Sequence, residues 1–206
     1  MIINLNKTPA HYINMPDHTH NKTAMQEQLA EYKFESITRY DGVLDQNSKL
    51  GCTKAHQDLL NKLSDYEEPF LILEDDARIA NFRQHIDVPD DADALYLGNS
   101  KYGLYGGQGI FRISAEKIND DIFRVYNMLG AHAILYLNKD YAKFIAEKMS
   151  FFLETGDHHD KLRAETMKYF NIYALNRPMF YQLGEHESVT NFSISDLDHK
   201  DKRWSH

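Results

Sequence analysis

The sequence predicts an α/β protein with a mostly parallel central sheet flanked by helices. Short segments typical of strands alternate with longer segments typical of helices, which is the order found in such sheets. The runs 70–73 and 94–97 are continuously apolar, as expected for strands that are covered on both faces. We expect one domain over residues 1–206, with 185–206 as a polar, irregular C-terminal extension.

The first third of the chain predicts a β-α-β unit. Residues 12–15 are typical of a short strand, and residues 34–40 of a second strand that ends at the turn signal Asp41-Gly42. Between them, residues 21–33 predict a helix that places Met25, Leu29 and Tyr32 on one face.

The clearest helix is predicted over residues 51–66, with an apolar stripe that begins at Cys52. We expect His56 to lie on the opposite side of this helix from Cys52. Further strands are predicted over 133–137 and 172–174, and further helices over 139–153 and 159–170. Residues 99–110 contain four glycines and predict a loop.

Bulk properties restrict the class of protein. The formal net charge of −8 argues against a large surface for nucleic-acid phosphates. Cys52 is the only cysteine, so an intramolecular disulfide is impossible, which fits a reducing compartment. We find no secretory leader and no run of about 20 apolar residues, the length a membrane-spanning helix requires. A cytoplasmic protein without a membrane span is therefore expected.

An acidic triplet, Glu74-Asp75-Asp76, directly follows the apolar run 70–73. Three adjacent carboxylates repel one another, and a hard divalent cation such as Mg or Mn offsets that repulsion. Such a cation usually completes its ligand shell with water and substrate phosphates. Side chains alternate along a strand, so Glu74 and Asp76 should share one side and Asp75 should face the other.

The order of several motifs resembles a known family, the lipopolysaccharide-biosynthesis glycosyltransferases that include procollagen galactosyltransferases. The central motif is Leu71-Ile72-Leu73-Glu74-Asp75-Asp76, and the resemblance extends over about residues 12–190. The other matching segments are Tyr12-Ile13-Asn14-Met15, Arg39-Tyr40-Asp41-Gly42, Gly51-Cys52-Thr53-Lys54-Ala55-His56, Tyr96-Leu97-Gly98, Gly130-Ala131-His132-Ala133 and Pro178-Met179-Phe180-Tyr181-Gln182.

The resemblance implies a GT-A-type nucleotide-sugar fold and metal-dependent transfer from a nucleotide sugar, as in UDP-sugars, with inversion at the anomeric carbon. It implies that Glu74 and Asp76 hold Mn or Mg. The residues expected to contact the donor or its nucleotide are Ile13, Asn14, Asp41, Gly42, His56, Asp75, Gly98, His132 and Gln182. The chain departs from the family at Pro16-Asp17-His18, where members carry an arginine, and at Ala55, where members carry serine.

The general base for the acceptor hydroxyl is expected in the segment Gly156-Asp157-His158-His159-Asp160. We favour Asp157 over Asp160, although either carboxylate could instead cap the following helix. Adjacent histidines cannot easily chelate one ion, so zinc is not expected at His158-His159. The loop that contains Lys101, Tyr102, Gly103, Tyr105, Gly106, Gly107 and Gly109 predicts a lid over the donor.

The acceptor stays open among a glycan, a protein and a hydroxymethylated DNA base. A DNA acceptor requires a basic groove, and Lys200-Asp201-Lys202-Arg203-Trp204 is the one basic, aromatic-containing run. A non-catalytic nucleotide- or carbohydrate-binding protein is the alternative from another class. The oligomeric state is not determined by the sequence.

Overall fold

The computed structural model describes residues 1–104, 113–184 and 187–197. The helices in these ranges are α1 (Thr19–Glu31), α2 (Ser48–Leu63), α3 (Lys139–Thr155), α4 (His159–Thr166) and the single turn α5 (Glu187–Thr190). The strands are β1 (Ile2–Asn4), β2 (Ala10–Asn14), β3 (Ile37–Asp41), β4 (Phe70–Glu74), β5 (Ala77–Ile79), β6 (His85–Asp87), β7 (Ala94–Tyr96), β8 (Ser114–Lys117), β9 (Ile122–Asn127), β10 (Ala133–Tyr136), β11 (Ile172–Leu175) and β12 (Phe180–Gln182).

Eight of these strands form one sheet in the order β3-β2-β4-β10-β7-β11-β9-β8. The pairings show that six strands run in one direction, while β9 and β10 run in the other. Two small two-stranded sheets, β1-β6 and β5-β12, lie outside it. The predicted α/β class with a mostly parallel central sheet is confirmed.

Alternating side chains of the central strands supply two cores, one on each face of the sheet. Leu71 and Leu73 of β4 lie in the same core as Met25 and Leu29 of α1. The intervening residues of β4 lie in the other core, with apolar residues from α2, α3 and α4. Since β4 is buried on both faces, its continuous apolar sequence is explained.

The ends of the long helices follow from local chemistry. The Asn47 and Asn138 side chains accept hydrogen bonds from the first turns of α2 and α3, which satisfies backbone donors that have no partner within the helix. Helix α3 ends at Gly156, whose φ of 76° lies in the left-handed region that glycine adopts without strain.

The opening β-α-β prediction is confirmed, because β2 and β3 are parallel neighbours joined through α1. The helix predicted over 159–170 is shorter, since α4 ends at Thr166 and a 3-10 turn follows over Met167–Tyr169. The prediction of an irregular segment after residue 185 is wrong for α5 and for the 3-10 turn Ile194–Asp196. Strands β1, β5, β6, β8, β9 and β12 were not predicted.

Among the helices that the structure describes, none is both long enough and apolar enough to span a bilayer.

Candidate active site at the carboxyl edge of the sheet

Five neighbouring strands bring most of the predicted site residues to one edge of the sheet. Strands β3, β2 and β4 end there with Asp41, Asn14 and Glu74. Strand β10 runs the opposite way, so its beginning, next to His132, lies at the same edge. Strand β7 completes the row, and Gly98 follows it by two residues. This is the edge at which α/β sheets bind ligands.

Glu74 and Asp76 meet at Gln182, whose amide nitrogen donates to both carboxylates. The distances are 3.1 Å to Glu74 Oε2 and 3.4 Å to Asp76 Oδ2. Gln182 is held in place by β12, which pairs with β5, and by the Thr190 hydroxyl that accepts from its backbone N–H at 2.9 Å. The two carboxylates thus share one side, as the alternation of side chains predicts.

Asp75 faces a different set of partners. Its Oδ2 accepts a hydrogen bond from Asn14 Nδ2 at 2.6 Å, and its Oδ1 accepts one from Asn21 Nδ2 at 3.3 Å. His18 Nδ1 lies 3.6 Å from the same carboxylate. Both oxygens of Asp75 are therefore occupied by side chains that follow or end β2, as expected for a residue separated from Glu74 and Asp76.

Asp76 is a carboxylate at this edge whose negative charge is poorly compensated by its surroundings. Its Oδ1 is buried and has no hydrogen-bond partner within the described ranges. Burial, followed by the neighbouring charges of Glu74 and Asp75, raises the pKa of Asp76 to about 7. Burial is also the main reason that the pKa of Glu74 is raised. A divalent cation would compensate both effects, so the residues present fit the expected Mn or Mg.

Arg39 links the end of β3 to the end of β2. Its Nε donates to Asn14 Oδ1 at 2.9 Å, and its Nη2 lies 2.6 Å from Asp41 Oδ1. The exposed Asp41 is therefore held by Arg39 beside Asn14. The next residue, Gly42, donates its N–H to the Asn14 carbonyl at 3.0 Å. Ile13, which lies opposite Glu74 in the pairing of β2 with β4, precedes Asn14 at this edge.

Gly98 and His132 are in close contact. A methyl group built on Gly98 would lie 2.0 Å from His132 Nε2, well inside any permitted separation. The His132 ring is fully buried, and its Nε2 lies 3.4 Å from the Phe180 carbonyl oxygen. The absence of a side chain at Gly98 therefore makes room for an imidazole beside the start of β12.

A second cluster lies directly behind Glu74 and corrects one prediction. Cys52 and His56 face the same side of α2, because residues four apart in a helix lie on one face. His56 Nε2 lies 3.1 Å from Glu74 Oε1, and Cys52 Sγ lies 4.0 Å from the same oxygen. His159 Nε2 approaches Cys52 Sγ to 3.3 Å. The predicted placement of His56 opposite Cys52 is wrong.

This Cys52-His56-Glu74-His159 cluster contains four atoms of metal-binding type that all lie within 4.8 Å of one another. The pKa of both histidines is lowered, primarily by burial, so both rings are neutral at pH 7. Burial likewise raises the pKa of the Cys52 thiol, so it stays protonated. Without an ion, the cluster is a set of uncharged hydrogen-bonding groups around one carboxylate.

The two predicted bases occupy different environments. Asp157 is half exposed and forms an ion pair with Lys161 one helical turn later, at 2.5 Å. Asp160 lies beside the imidazoles of His158 and His159, at 3.6 Å from Nδ1 of each. Its Oδ1 is buried and accepts no hydrogen bond from the described part of the chain. The structure thus brings Asp160, rather than Asp157, next to the cluster behind Glu74.

The predicted lid and the basic run lie partly or wholly outside the described residues. Lys101, Tyr102 and Gly103 are described, whereas Tyr105, Gly106, Gly107 and Gly109 lie outside the described residues. The run from Lys200 to Trp204 lies outside them as well.

Sequence reasoning missed Arg163, which is fully buried and reaches the cluster from α4. A signal existed, since Arg163 lies four residues after His159 and is flanked by the buried residues Leu162 and Ala164. A lone arginine among buried residues indicates a specific polar partner. The partner could not be identified, because His56 is 107 residues away in the chain.

The geometry defines a mixed α/β fold with polar groups converging on the carboxyl edge of its sheet. No family model matches the chain, and no curated protein matches it. Among solved structures, it is similar to the crystal structure of the nucleoside-diphosphate-sugar pyrophosphorylase from Vibrio cholerae RC9. The two share 11% identity over 82% of this chain and 73% of the other, with a TM-score of 0.48. A similarity this distant does not bear on activity.

Proposed function

We propose that the protein is a metal-dependent glycosyltransferase with a GT-A-type fold, which transfers a sugar from a nucleotide sugar such as a UDP-sugar to an acceptor hydroxyl, with inversion. The observation that carries the proposal is the buried Oδ1 of Asp76, which lies beside Glu74 and Asp75 and has no hydrogen-bond partner among the residues that the structure describes. A site with excess carboxylate and a raised Asp76 pKa favours a bound cation.

Asp76 is the direct ligand of Mn or Mg in this proposal, with Glu74 assisting it. The bound cation would neutralise the leaving diphosphate. Gln182 keeps the two carboxylates together, since its amide contacts both. Asp75 is held by Asn14 and Asn21, and it orients the ribose or the donor sugar.

The remaining donor contacts come from the same row of strand ends. Asp41, Gly42 and Ile13 lie beside Asn14, where they would contact the nucleoside. Gly98 and His132 lie on the other side of β4, near the sugar or the diphosphate. In this proposal the donor lies along the carboxyl edge of the sheet, and the carboxylates that follow β4 lie at the middle of the row of strand ends.

Asp160 is the stronger candidate for the general base. A base must reach the acceptor hydroxyl and be free to take its proton. Asp157 is paired at the surface with Lys161, whereas the Asp160 side chain is partly exposed and lies beside two imidazoles rather than a lysine. The acceptor is a glycan, a protein or a modified DNA base, and the described residues favour none of these three.

The proposal is tested by incubating the purified protein with Mn²⁺ and a panel of UDP-sugars and related donors, and measuring release of the nucleoside diphosphate. Asp76→Asn should reduce release at least about 100-fold, a loss typical of removing an electrostatic contact to the transition state. Asp87→Asn, a change at an exposed carboxylate on β6, is the matched control and should keep full activity.

Two results would count against the proposal. Full activity of Asp76→Asn would exclude the proposed role of this carboxylate. Metal-dependent binding of the nucleotide without release or transfer, across many donors and acceptors, would instead identify a non-catalytic binding protein.

A further inference from the structure

Arg163 is a fully buried cation that contacts two imidazoles. Its Nε donates to His159 Nδ1 at 3.3 Å, and its Nη2 lies 3.5 Å from His56 Nδ1. Its third nitrogen, Nη1, donates to the Tyr136 hydroxyl, and the guanidinium lies 5.7 Å from the centre of that ring. The guanidinium therefore lies under the cluster formed by Cys52, His56, Glu74 and His159.

The direction of these contacts determines where the imidazole protons lie. A guanidinium can only donate hydrogen bonds, so each contacted Nδ1 must be the unprotonated nitrogen. Asp160 Oδ1 also lies 3.6 Å from His159 Nδ1, which is beyond hydrogen-bonding distance, so Arg163 Nε at 3.3 Å is the nearer partner of that nitrogen. A neutral imidazole then carries its proton on Nε2. The Nε2–H of His56 points at Glu74 Oε1, and that of His159 points at Cys52 Sγ. Each imidazole thus accepts from Arg163 at Nδ1 and donates from Nε2 on the opposite side of its ring.

The same arrangement disfavours a metal ion held by both histidines. An Nε2 that carries a proton has no lone pair for an ion. The rings of His56 and His159 also lie nearly face to face, with centroids 4.1 Å apart and planes inclined by 30°. Lone pairs that lie in two stacked planes do not converge on one ion at the roughly 2 Å of a zinc–nitrogen bond.

We propose that Arg163 is a positioning residue that fixes His56 and His159 as Nε2–H tautomers, so that His56 holds Glu74 in place from behind and the four-residue cluster does not bind metal. Glu74 is held from the front by Gln182, which also contacts Asp76. The predicted effect of Arg163 on cation binding rests on the proposed function, whereas the predicted tautomers of His56 and His159 are independent of it.

The first test is an NMR measurement of the imidazole nitrogens in ¹⁵N-labelled wild-type protein. Both His56 and His159 should show a protonated Nε2 and an unprotonated Nδ1. Protonation at Nδ1 of either ring would overturn the proposal. The wild-type measurement requires no variant and no substrate, so its outcome is independent of whether the protein transfers a sugar.

A Co²⁺ titration followed by absorbance tests the absence of a metal in the cluster. Bound Co²⁺ shows an intense charge-transfer band when a thiolate is a ligand, and carboxylate ligands such as Asp76 do not produce that band. We expect no such band in the wild-type protein. A stoichiometric band that disappears in Cys52→Ser would show that the cluster binds metal, and would overturn the proposal.

A third test compares the variants Arg163→Met and Tyr136→Phe. The first removes the donors to both histidines, and the second removes the other partner of Arg163 while leaving those donors. Arg163→Met should lose the single Nε2–H tautomer and should bind Mn²⁺ about 10–100-fold more weakly, as is usual when a residue that orients a metal ligand is lost. Tyr136→Phe should keep both properties.

An Mn²⁺ dissociation constant unchanged in folded Arg163→Met would overturn the positioning role. If wild-type protein does not bind Mn²⁺ at all, the proposed function fails. The NMR measurement of the His56 and His159 tautomers then still tests the proposal about Arg163.

Discussion

At the scale of single residues, the site concentrates groups whose charge is costly where they lie. The carboxylate of Asp76 is placed where burial and two neighbouring carboxylates all oppose ionisation. Such a placement lowers stability without a ligand, and proteins retain it where a ligand supplies the missing charge. Substitutions of Asp76 can therefore measure both the loss of stability caused by its charge and its proposed role in cation binding.

We expect Asp76→Asn to stabilise the metal-free protein at pH 8. The folded protein keeps the Asp76 proton up to a pKa of about 7, whereas the unfolded chain releases it near 3.8, so stability falls as the pH rises between these values. Removing the carboxylate should restore on the order of 2 kcal/mol at pH 8, since one pKa unit corresponds to about 1.4 kcal/mol and the side chain is not completely buried.

The free energy of unfolding in urea, with a chelator present, measures this effect. At pH 4 the wild-type carboxyl is largely protonated, so the variant should show little gain there. An equal effect of Asp76→Asn at pH 4 and pH 8 would contradict the assignment of the raised pKa to this residue.

His11 on β2 carries a similar cost with the opposite charge. Its ring is buried among Tyr40, Tyr66 and Phe70, at centroid distances of 5.7, 6.2 and 6.4 Å. Neither ring nitrogen finds a hydrogen-bond partner among the residues described. Burial lowers the pKa of His11 to about 4, so the protonated ring is unstable in the fold.

His11→Phe should reduce the sensitivity of the protein to acid. The unfolded chain binds a proton below about pH 6.5 and the folded His11 only below about 4, so wild-type stability falls across that interval by on the order of 3 kcal/mol for this group. The free energy of unfolding at pH 7 and pH 4.5 should differ less in the variant.

The buried His56 and His159 also have lowered pKa values, so some acid sensitivity should remain in His11→Phe. His85→Gln, at an exposed histidine on β6, is the control and should behave as wild type. A variant that loses as much stability as wild type on acidification would show that His11 is not a source of the effect.

At the scale of elements, α2 shows what sequence patterns can and cannot predict. Its apolar stripe predicts the helix and its buried face, because residues three and four apart recur on one side. The polar pair Cys52 and His56 lies on the same face by that geometry, yet the partner carboxylate comes from β4. Pairing between elements distant in the chain is set by the packing, which a helical pattern does not contain.

Gly51→Ala is expected to destabilise the protein, although alanine favours helices more than glycine does. A methyl group at this position would lie 2.4 Å from the Val43 carbonyl oxygen, and backbone cannot move aside cheaply. We expect a loss of about 1–3 kcal/mol, as for other overpacked sites. Thermal denaturation measures it, and Asn61→Ala, at an exposed position on α2, should stay within about 0.5 kcal/mol of wild type. A Gly51→Ala protein as stable as wild type would contradict the close approach.

Most of the elements that the sequence did not predict are short strands. Strand β9 alternates partly, with Ile122, Phe123 and Val125 buried and Arg124 and Tyr126 less so. Strand β8 is polar and lies at the sheet edge, where few side chains are buried. A strand with as little apolar surface as β8 takes its conformation from hydrogen bonds to its neighbour, and a local pattern cannot reveal that neighbour.

At the scale of the whole molecule, the sheet order assembles the site. Asp41, Asn14, Glu74, His132 and Gly98 come from separate segments of the chain, and adjacent strands place them in one row. The sequence predicts the polar end of β4, because its apolar run stops abruptly at Glu74. The contribution of β12, which delivers Gln182 to Glu74 and Asp76, depends on a strand outside the main sheet.

The most direct test of the central claim is the thermal stability of wild type and Asp76→Asn with UDP and a panel of UDP-sugars, each with Mn²⁺ and with a chelator. We expect the nucleotide to raise the Tm of wild type only when Mn²⁺ is present, by an amount equivalent to about 2.7 kcal/mol at a concentration 100 times Kd. Asp76→Asn should show no such rise. Equal stabilisation with and without Mn²⁺, or an undiminished rise in Asp76→Asn, would contradict a nucleotide-sugar site built on a cation at Asp76.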